Sequence, residues 1–168
     1  IIDSKSGYSG AGRKFEINKL INDNKFNFYN YNTNNHRHIS EIYQELNKYT
    51  NTEVKFSFNP HILPIFRGMM STIYCDLKDG IKIYDIINLY KKVYSDKIFI
   101  KILNDNEDAD FFTVCNTNNC LIKIFKHYDE NKIIIVSLID NLLKGASGQA
   151  MQCMNIIFNF DENMGLNG

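Results

Sequence analysis

The pattern of apolar residues predicts an α+β fold. Three strand-length runs, 111–115, 121–125 and 132–138, follow one another across Asn- and Asp-rich connections, and consecutive strands joined by short turns pair antiparallel. Helical spacing recurs elsewhere, at Ile42, Leu46 and Tyr49, at Ile83, Ile86, Ile87, Tyr90 and Tyr94, and at Ala150, Met154, Ile157 and Phe158. Each set would lay one apolar face on a core. A chain of 168 residues with 44 % hydrophobic content can bury one such core, so residues 1–168 read as a single domain.

Charge is balanced, at 19 basic and 19 acidic residues. Such a chain lacks the basic footprint that binds nucleic acid or an anionic membrane surface. No apolar run reaches the roughly 18 residues of a membrane-crossing helix. The longest, Ile133 to Ile139, has strand length and a serine inside it. Cysteines at 75, 115, 120 and 153 show no disulfide framework, which fits a reducing, cytoplasmic setting. Cys115 and Cys120 have His127 downstream but no second ligand pair, so no metal site is expected. The opening Ile1-Ile2-Asp3 has neither a methionine nor a charged leader. It reads as the interior of a longer polypeptide, not as a signal peptide.

Taken in order, residues 3–13 hold three glycines and three serines and read as a loop. Its backbone can approach a ligand, and its amides, with Lys5 and Arg13, could meet an anion. It is neither a Walker loop nor the dinucleotide fingerprint. Seven asparagines crowd residues 22–35, where Phe26, Phe28, Tyr29 and Tyr31 are strand-like. Val54 to Phe58 alternates as a half-buried strand, and Pro60 and Pro64 make 59–68 a stiff connection. Arg67 at its end could face a carboxylate or phosphate, or close a structural salt bridge. Met69 to Leu77 and Ile98 to Leu103 read as strands, 83–94 as a helix, and 146–158 as a helix with a thin Gly- and Ala-rich start. Another domain, a flat cofactor ring or an ordinary helix could pack there.

One stretch concentrates chemistry. His36, Arg37, His38 and Glu41 fall within six residues, where a polar loop gives way to a helix. Ser40 is a candidate N-cap. Free amides at a helix start lower an imidazole pKa, and Glu41 one turn on could orient one ring. That combination makes a neutral general base. Two surface histidines in a polar loop would give the same sequence.

Four motifs carry a resemblance. Asp-Ser-Lys-Ser-Gly-Tyr-Ser-Gly-Ala-Gly-Arg at 3–13, His-Arg-His-Ile-Ser-Glu-Ile at 36–42, Pro-His-Ile-Leu-Pro-Ile-Phe-Arg-Gly at 60–68 and Asp-Asn-Leu-Leu-Lys-Gly-Ala-Ser-Gly-Gln-Ala at 140–150 resemble, in order, the C-terminal part of N-acetyl-gamma-glutamyl-phosphate reductase. The resemblance implies a mixed, mainly antiparallel sheet with helices on one face. That is the catalytic and dimerisation domain of the aspartate-semialdehyde and glyceraldehyde-3-phosphate dehydrogenases. It also implies a reaction of arginine biosynthesis. A cysteine thiolate displaces phosphate from an acyl phosphate, and hydride from NADPH reduces the thioester to a semialdehyde.

By that resemblance His38 is the base and Glu41 orients it, with the roles of His36 and His38 exchangeable. Arg37 lies near substrate, and Arg13 and Arg67 are candidates for its carboxylate or phosphate. Ser6, Gly7, Asn141 and Gly145 would meet the nicotinamide end of NADP. The family's Gly-Cys-Tyr-Pro-Thr nucleophile motif and its Rossmann half have no counterpart here. The chain alone is therefore expected to be inactive, to form a homo-oligomer in the intact protein and to expose the surface that meets its other half. A non-catalytic pairing module, or the lysine-pathway reductase acting on aminoadipyl phosphate, are the alternatives.

Overall fold

The computed structural model describes residues 1–12, 21–22 and 25–168. Its main sheet is seven-stranded, built from β1 (Ile2–Gly7), β4 (Tyr29–Asn30), β5 (Phe58–Leu63), β6 (Met69–Asp76), β7 (Ile100–Ile102), β8 (Cys120–Lys126) and β9 (Lys132–Ile139). The order is β4-β5-β1-β6-β9-β8-β7, and β2 (Ile21–Asn22) and β3 (Lys25–Phe26) make a separate ladder. β1 runs parallel to β5, and β7 to β8; the other main-sheet pairs are antiparallel. The mixed, mainly antiparallel sheet is the one expected.

The core follows from the isoleucine-rich strands. Ile73 of β6, Ile133 and Ile135 of β9, and Ile122 and Ile124 of β8 share one face. Helix α2 (Ile83–Val93) lays Ile83, Ile86, Ile87 and Tyr90 across them. Asp85 reaches back to the Lys82 amide at 2.8 Å and fixes where that helix starts. On the opposite face Leu121 and Leu138 pack with Val114 from the 103–117 segment. Leu138 is 1 % exposed and Val114 0 %; burying each such side chain contributes about 1.5–3 kcal/mol.

Several sequence expectations fail for local reasons. Residues 3–13 are not one loop: Ile2–Gly7 is a central strand, flanked on both sides, followed by a 3₁₀ turn at Tyr8–Ala11. Arg13 and its successors to residue 20 lie outside the described residues. The strand expected at 54–58 begins only at Phe58 and runs through Pro60. Pro60 is tolerated because its carbonyl, which accepts the Tyr31 amide at 3.1 Å, lies just past the end of the short β4. Its missing N–H breaks no ladder bond there.

Residues 111–115 form a 3₁₀ turn at Phe111–Thr113, because the Asp110 carboxylate takes the Phe112 amide at 2.9 Å. β7 and β4 are shorter than the strands expected at 98–103 and 26–31.

Two helices also turn out differently. Helix α1 (Ile39–Asn47) is capped at His38, not Ser40, whose hydroxyl instead donates to the Arg37 carbonyl at 3.4 Å. Its expected apolar stripe is not buried: Leu46 is 39 % exposed and Tyr49 89 %.

Helix α3 (Gly148–Ile157) follows a π-helical turn at Leu143–Ser147 and buries Gly148, Gln152 and Asn155, while Met154, Ile157 and Phe158 face out. Polar burial is stable there because both amides are hydrogen-bonded: Gln152 Oε1 accepts from Asn118 and Lys144 at 2.9 and 2.7 Å, and both side chains donate to the tail. Asn155 donates to the Glu162 and Met164 carbonyls at 3.1 and 3.0 Å, and Gln152 to Glu162 Oε1 at 2.6 Å. Asn155→Ala should leave both carbonyls unpaired, lower stability by about 1–3 kcal/mol, and open 161–168 to proteolysis. Urea denaturation with limited proteolysis of the full chain checks both.

Candidate functional site

Strand register assembles the floor of the site. Ser4 on β1 sits opposite Ser71 on β6, and Ser71 opposite Ser137 on β9. Ser6 lies one pleat further along β1. These serines share a face with Ile73 and Ile135, so α2 covers one part of that face and leaves another open. Over the open part stands the 36–42 segment. Between them is a cavity of about 430 Å³ lined by Ser4, Ser6, Ser71, Ser137, His38 and Glu41, with His36, Arg37 and Ile42 at its margin. A second cavity of about 380 Å³ adjoins it at Gly10, Tyr31, His36 and Arg37.

The two histidines are held differently. His36 Nδ1 accepts the His38 amide at 3.2 Å, and its Nε2 lies 3.3 Å from the Tyr31 hydroxyl. A ring nitrogen that accepts carries no proton, so the hydrogen is on Nε2 and the ring is neutral. Phe58 packs on it edge to face, with centroids 5.4 Å apart. Burial lowers the His36 pKa, with His38 and Arg37 adding and Glu41 opposing. The cause is burial more than the helix start. Burial likewise raises the Tyr31 phenol, with Tyr29 adding.

His38 touches His36 at a centroid distance of 4.7 Å. It is half-buried and, among the described residues, its ring makes no hydrogen bond. Glu41 reaches the same cavity, but no hydrogen bond joins it to either imidazole among the described residues.

The candidate cofactor residues form a strap at the cavity's edge. Asn141 Oδ1 accepts the Gly68 amide at 2.7 Å, and its Nδ2 donates to Ser9 at 2.9 Å. Gly7 donates its amide to the Gly68 carbonyl at 2.7 Å, and a Cβ there would lie 2.7 Å from the Phe66 carbonyl oxygen. Glycine at 7 is thus required by the neighbouring backbone. Gly10 differs: a Cβ there would fall 2.6 Å from the Ser6 hydroxyl and 3.5 Å from Asn141 Nδ2. Glycine there lets the turn pack directly against those two polar groups, at the wall of the cavity. Gly145 is exposed, near Ile139.

Arg67 does not line the cavity. It donates to Asp140 at 2.9 Å and to Asn116 at 2.6 Å, the salt-bridge reading left open above. Asp140 is fully buried and also takes the amides of Asn116, Leu142 and Leu143 at 2.8, 2.9 and 3.1 Å. Burial opposes its charge, but those hydrogen bonds outweigh it and hold the carboxyl below the usual range.

No cysteine among the described residues lines the cavity, and burial raises the thiols of Cys75 and Cys120. Sequence reasoning missed Tyr31 and the serine floor. The one available signal was a serine interrupting each of the apolar runs at 69–77 and 133–139.

Known proteins resemble this chain at both levels. The family model of the semialdehyde dehydrogenase dimerisation domain matches residues 1–141. N-acetyl-gamma-glutamyl-phosphate reductase of Clostridium botulinum (strain Alaska E43 / Type E3) is 44 % identical over 99 % of this chain and 48 % of the relative. That of Brachyspira hyodysenteriae is 45 % identical over the same shares. The chain thus spans about half the length of the curated relatives it matches. Aspartate semialdehyde dehydrogenase II from Vibrio cholerae superposes with a TM-score of 0.70 at 15 % identity, covering 94 % of this chain and 54 % of that one. A probable aspartate-semialdehyde dehydrogenase from Pseudomonas aeruginosa gives 0.60 at 11 %, over 83 % and 49 %. These two likenesses show the fold.

Two measurements check the geometry. In an NMR titration His36 should protonate below the ordinary value of about 6.5, with Nε2–H as its neutral tautomer; a proton on Nδ1 would refute the arrangement. Its folded value is depressed, so its share of stability is present above the unfolded pKa and lost as pH falls. Asp140→Ala should cost about 3–5 kcal/mol, because Arg67 is left without its buried partner. The Asp140 carboxyl is depressed too, so its contribution is whole above the unfolded value of about 3.9 and disappears on further acidification. Urea midpoints against pH, wild type beside Asp140→Asn, should converge at the acid end.

Proposed function

Because the chain belongs to the semialdehyde dehydrogenase dimerisation-domain family, we propose that it is the second half of an NADP-dependent acyl-phosphate reductase. The reaction is reduction of N-acetyl-glutamyl 5-phosphate to N-acetyl-glutamate 5-semialdehyde and phosphate, in arginine biosynthesis. The other half is a Rossmann domain that supplies the nucleotide site and the nucleophilic cysteine. Copies assemble through the present domain.

The observation that carries this reading is the unequal holding of the imidazoles. His36 is engaged at both nitrogens and stays neutral, which suits an orienting group. His38 stands beside it at the cavity with its ring uncommitted among the described residues. As general base, His38 takes the thiol proton; the thiolate adds to the acyl carbon and phosphate leaves, giving a thioester. After reduction, the imidazolium returns that proton as the aldehyde departs and sulfur is regenerated. Glu41 acts through its charge at the same cavity. Arg37 offers a guanidinium to the phosphate or carboxylate.

The residues at the strap would meet the nicotinamide end of NADP. Ser6 and Gly10 line the cavity, and Asn141, Gly7 and Gly145 beside them would meet the carboxamide edge. The cofactor supplies hydride when bound. This chain's share is to hold that edge and exclude water.

In the full-length protein, His38→Ala should lower kcat for phosphate-dependent NADP reduction by N-acetyl-glutamate semialdehyde roughly 10²–10⁴-fold. His36→Ala should act less on kcat and more on the pH profile. A loss below about threefold for His38→Ala would remove it from the base role and favour a pairing module without catalysis.

A further inference from the structure

The cavity has a floor that the proposed chemistry does not use. Ser4, Ser71 and Ser137 stand side by side across three adjacent strands, and Ser6 lies above them on β1. The next layer of the same face is Ile2, Ile73 and Ile135. Serine is a poor choice for the middle of a packed sheet, where β-branched apolar side chains fit better. Here hydroxyls occupy the same level on three neighbouring strands. Ser4 and Ser6 are 7 % and 8 % exposed.

The hydrogen bonds leave capacity over. Ser4 and Ser71 share one hydrogen at 2.7 Å, Ser6 donates to the Gly7 carbonyl at 3.0 Å, and among the described residues Ser137 meets only the Cys120 sulfur, at 3.5 Å. Each hydroxyl can both donate and accept, so the Ser4–Ser71 pair and Ser137 retain a donor and several lone pairs.

Charge decides what this floor can take. Ionised side chains belong to the 36–41 rim, as Arg37 and Glu41, and His61 at the border has its Nδ1 turned to Asp3 at 3.2 Å. Among the described residues, none lines the cavity beside the serines on the floor. A buried ammonium or carboxylate there would lose its hydration without a counter-charge. A neutral amide, with one donor and one acceptor, would meet hydroxyls that supply both.

Resting on the proposed reductase reading, we infer that Ser71 and Ser137, backed by Ser4, bind the acylated amino group of the substrate. The floor thereby selects small acids whose amine is masked as an amide over those with a free ammonium. These serines are specificity residues, distant in role from His38.

The test uses the full-length protein and calorimetric binding of N-acetylglutamate beside glutarate, which lacks the amide. Wild type should prefer N-acetylglutamate at least tenfold. Ser71→Ala and Ser137→Ala should each weaken it roughly 3–10-fold, a lost neutral hydrogen bond, and leave glutarate unchanged; Ser71→Thr, which keeps a hydroxyl, should restore most of the preference. With N-acetyl-glutamate semialdehyde the alanine variants should raise KM and leave kcat within about twofold.

Equal weakening of both ligands, or undiminished preference in both variants, overturns the floor assignment while wild-type turnover leaves the reductase reading standing. Absence of turnover in wild type with the semialdehyde and phosphate overturns both. Thermal melting of each variant separates misfolding from lost recognition, and a folded Ser71→Thr without restored preference also counts against the floor.

Discussion

One buried carboxylate holds the surroundings of the site in place. Asp140 ends β9 with no solvent exposure, and such a charge would cost several kcal/mol if unpaired. It survives because three amides and one guanidinium converge on it. Each donor belongs to a different piece of chain or fixes the next one. Arg67 brings the 65–68 turn, Asn116 the segment after the 3₁₀ turn, and Leu142 and Leu143 the start of the π-helical turn that leads into α3. Its backbone carbonyl adds the Gly145 amide at 3.0 Å. The next residue, Asn141, ties Gly68 to Ser9. The edge of the cavity is thus set two hydrogen bonds away from a single charge.

That arrangement explains why the histidine segment can be exposed and still ordered. Its support is aromatic and polar instead of apolar. Phe58 and Tyr31 pin His36, and His36 in turn caps the His38 amide. A neutral imidazole that spends its lone pair on a backbone amide cannot also serve as base. The same bond sets the backbone of the neighbouring residue at the helix start. The two adjacent imidazoles thus differ in which nitrogens are occupied: both of His36 are engaged, and those of His38 are uncommitted among the described residues.

Much of the sheet was legible because β8 and β9 are isoleucine-rich and β6 is a strand-length, largely apolar run, each followed by Asn, Asp or Gly. α2 was legible because its apolar residues repeat at helical spacing and are the ones that pack. β1 was not, since Ser-Lys-Ser-Gly has little strand propensity and becomes a strand only by being paired on both edges. β5 was masked by Pro60, harmless only because β4 stops short. The 111–115 run looked like a strand until the Asp110 cap is considered. α3 inverted the usual rule, because Gln152 and Asn155 have the tail to bond to. In the site, residues 36–41 were visible because they are contiguous. Tyr31 and the serines were not, since register alone brings positions as far apart as 4 and 137 together.

The open part of the sheet face is itself informative. Over α2 the face is isoleucine against isoleucine and closes. Under α1 it is serine, and among the described residues α1 adds no side chain to either buried cluster, whereas α2 adds Ile83, Ile86, Ile87 and Tyr90. A helix with exposed Leu46, followed by an exposed Tyr49, forfeits apolar burial that its sequence could have supplied. Hydroxyls below and an under-packed helix above are two separate departures from what stability favours, and they meet at the same 430 Å³ of space. Departures of that kind concentrate where a protein needs room and polar groups more than it needs packing. The adjacent His38 and Glu41 place ionisable side chains at that same space.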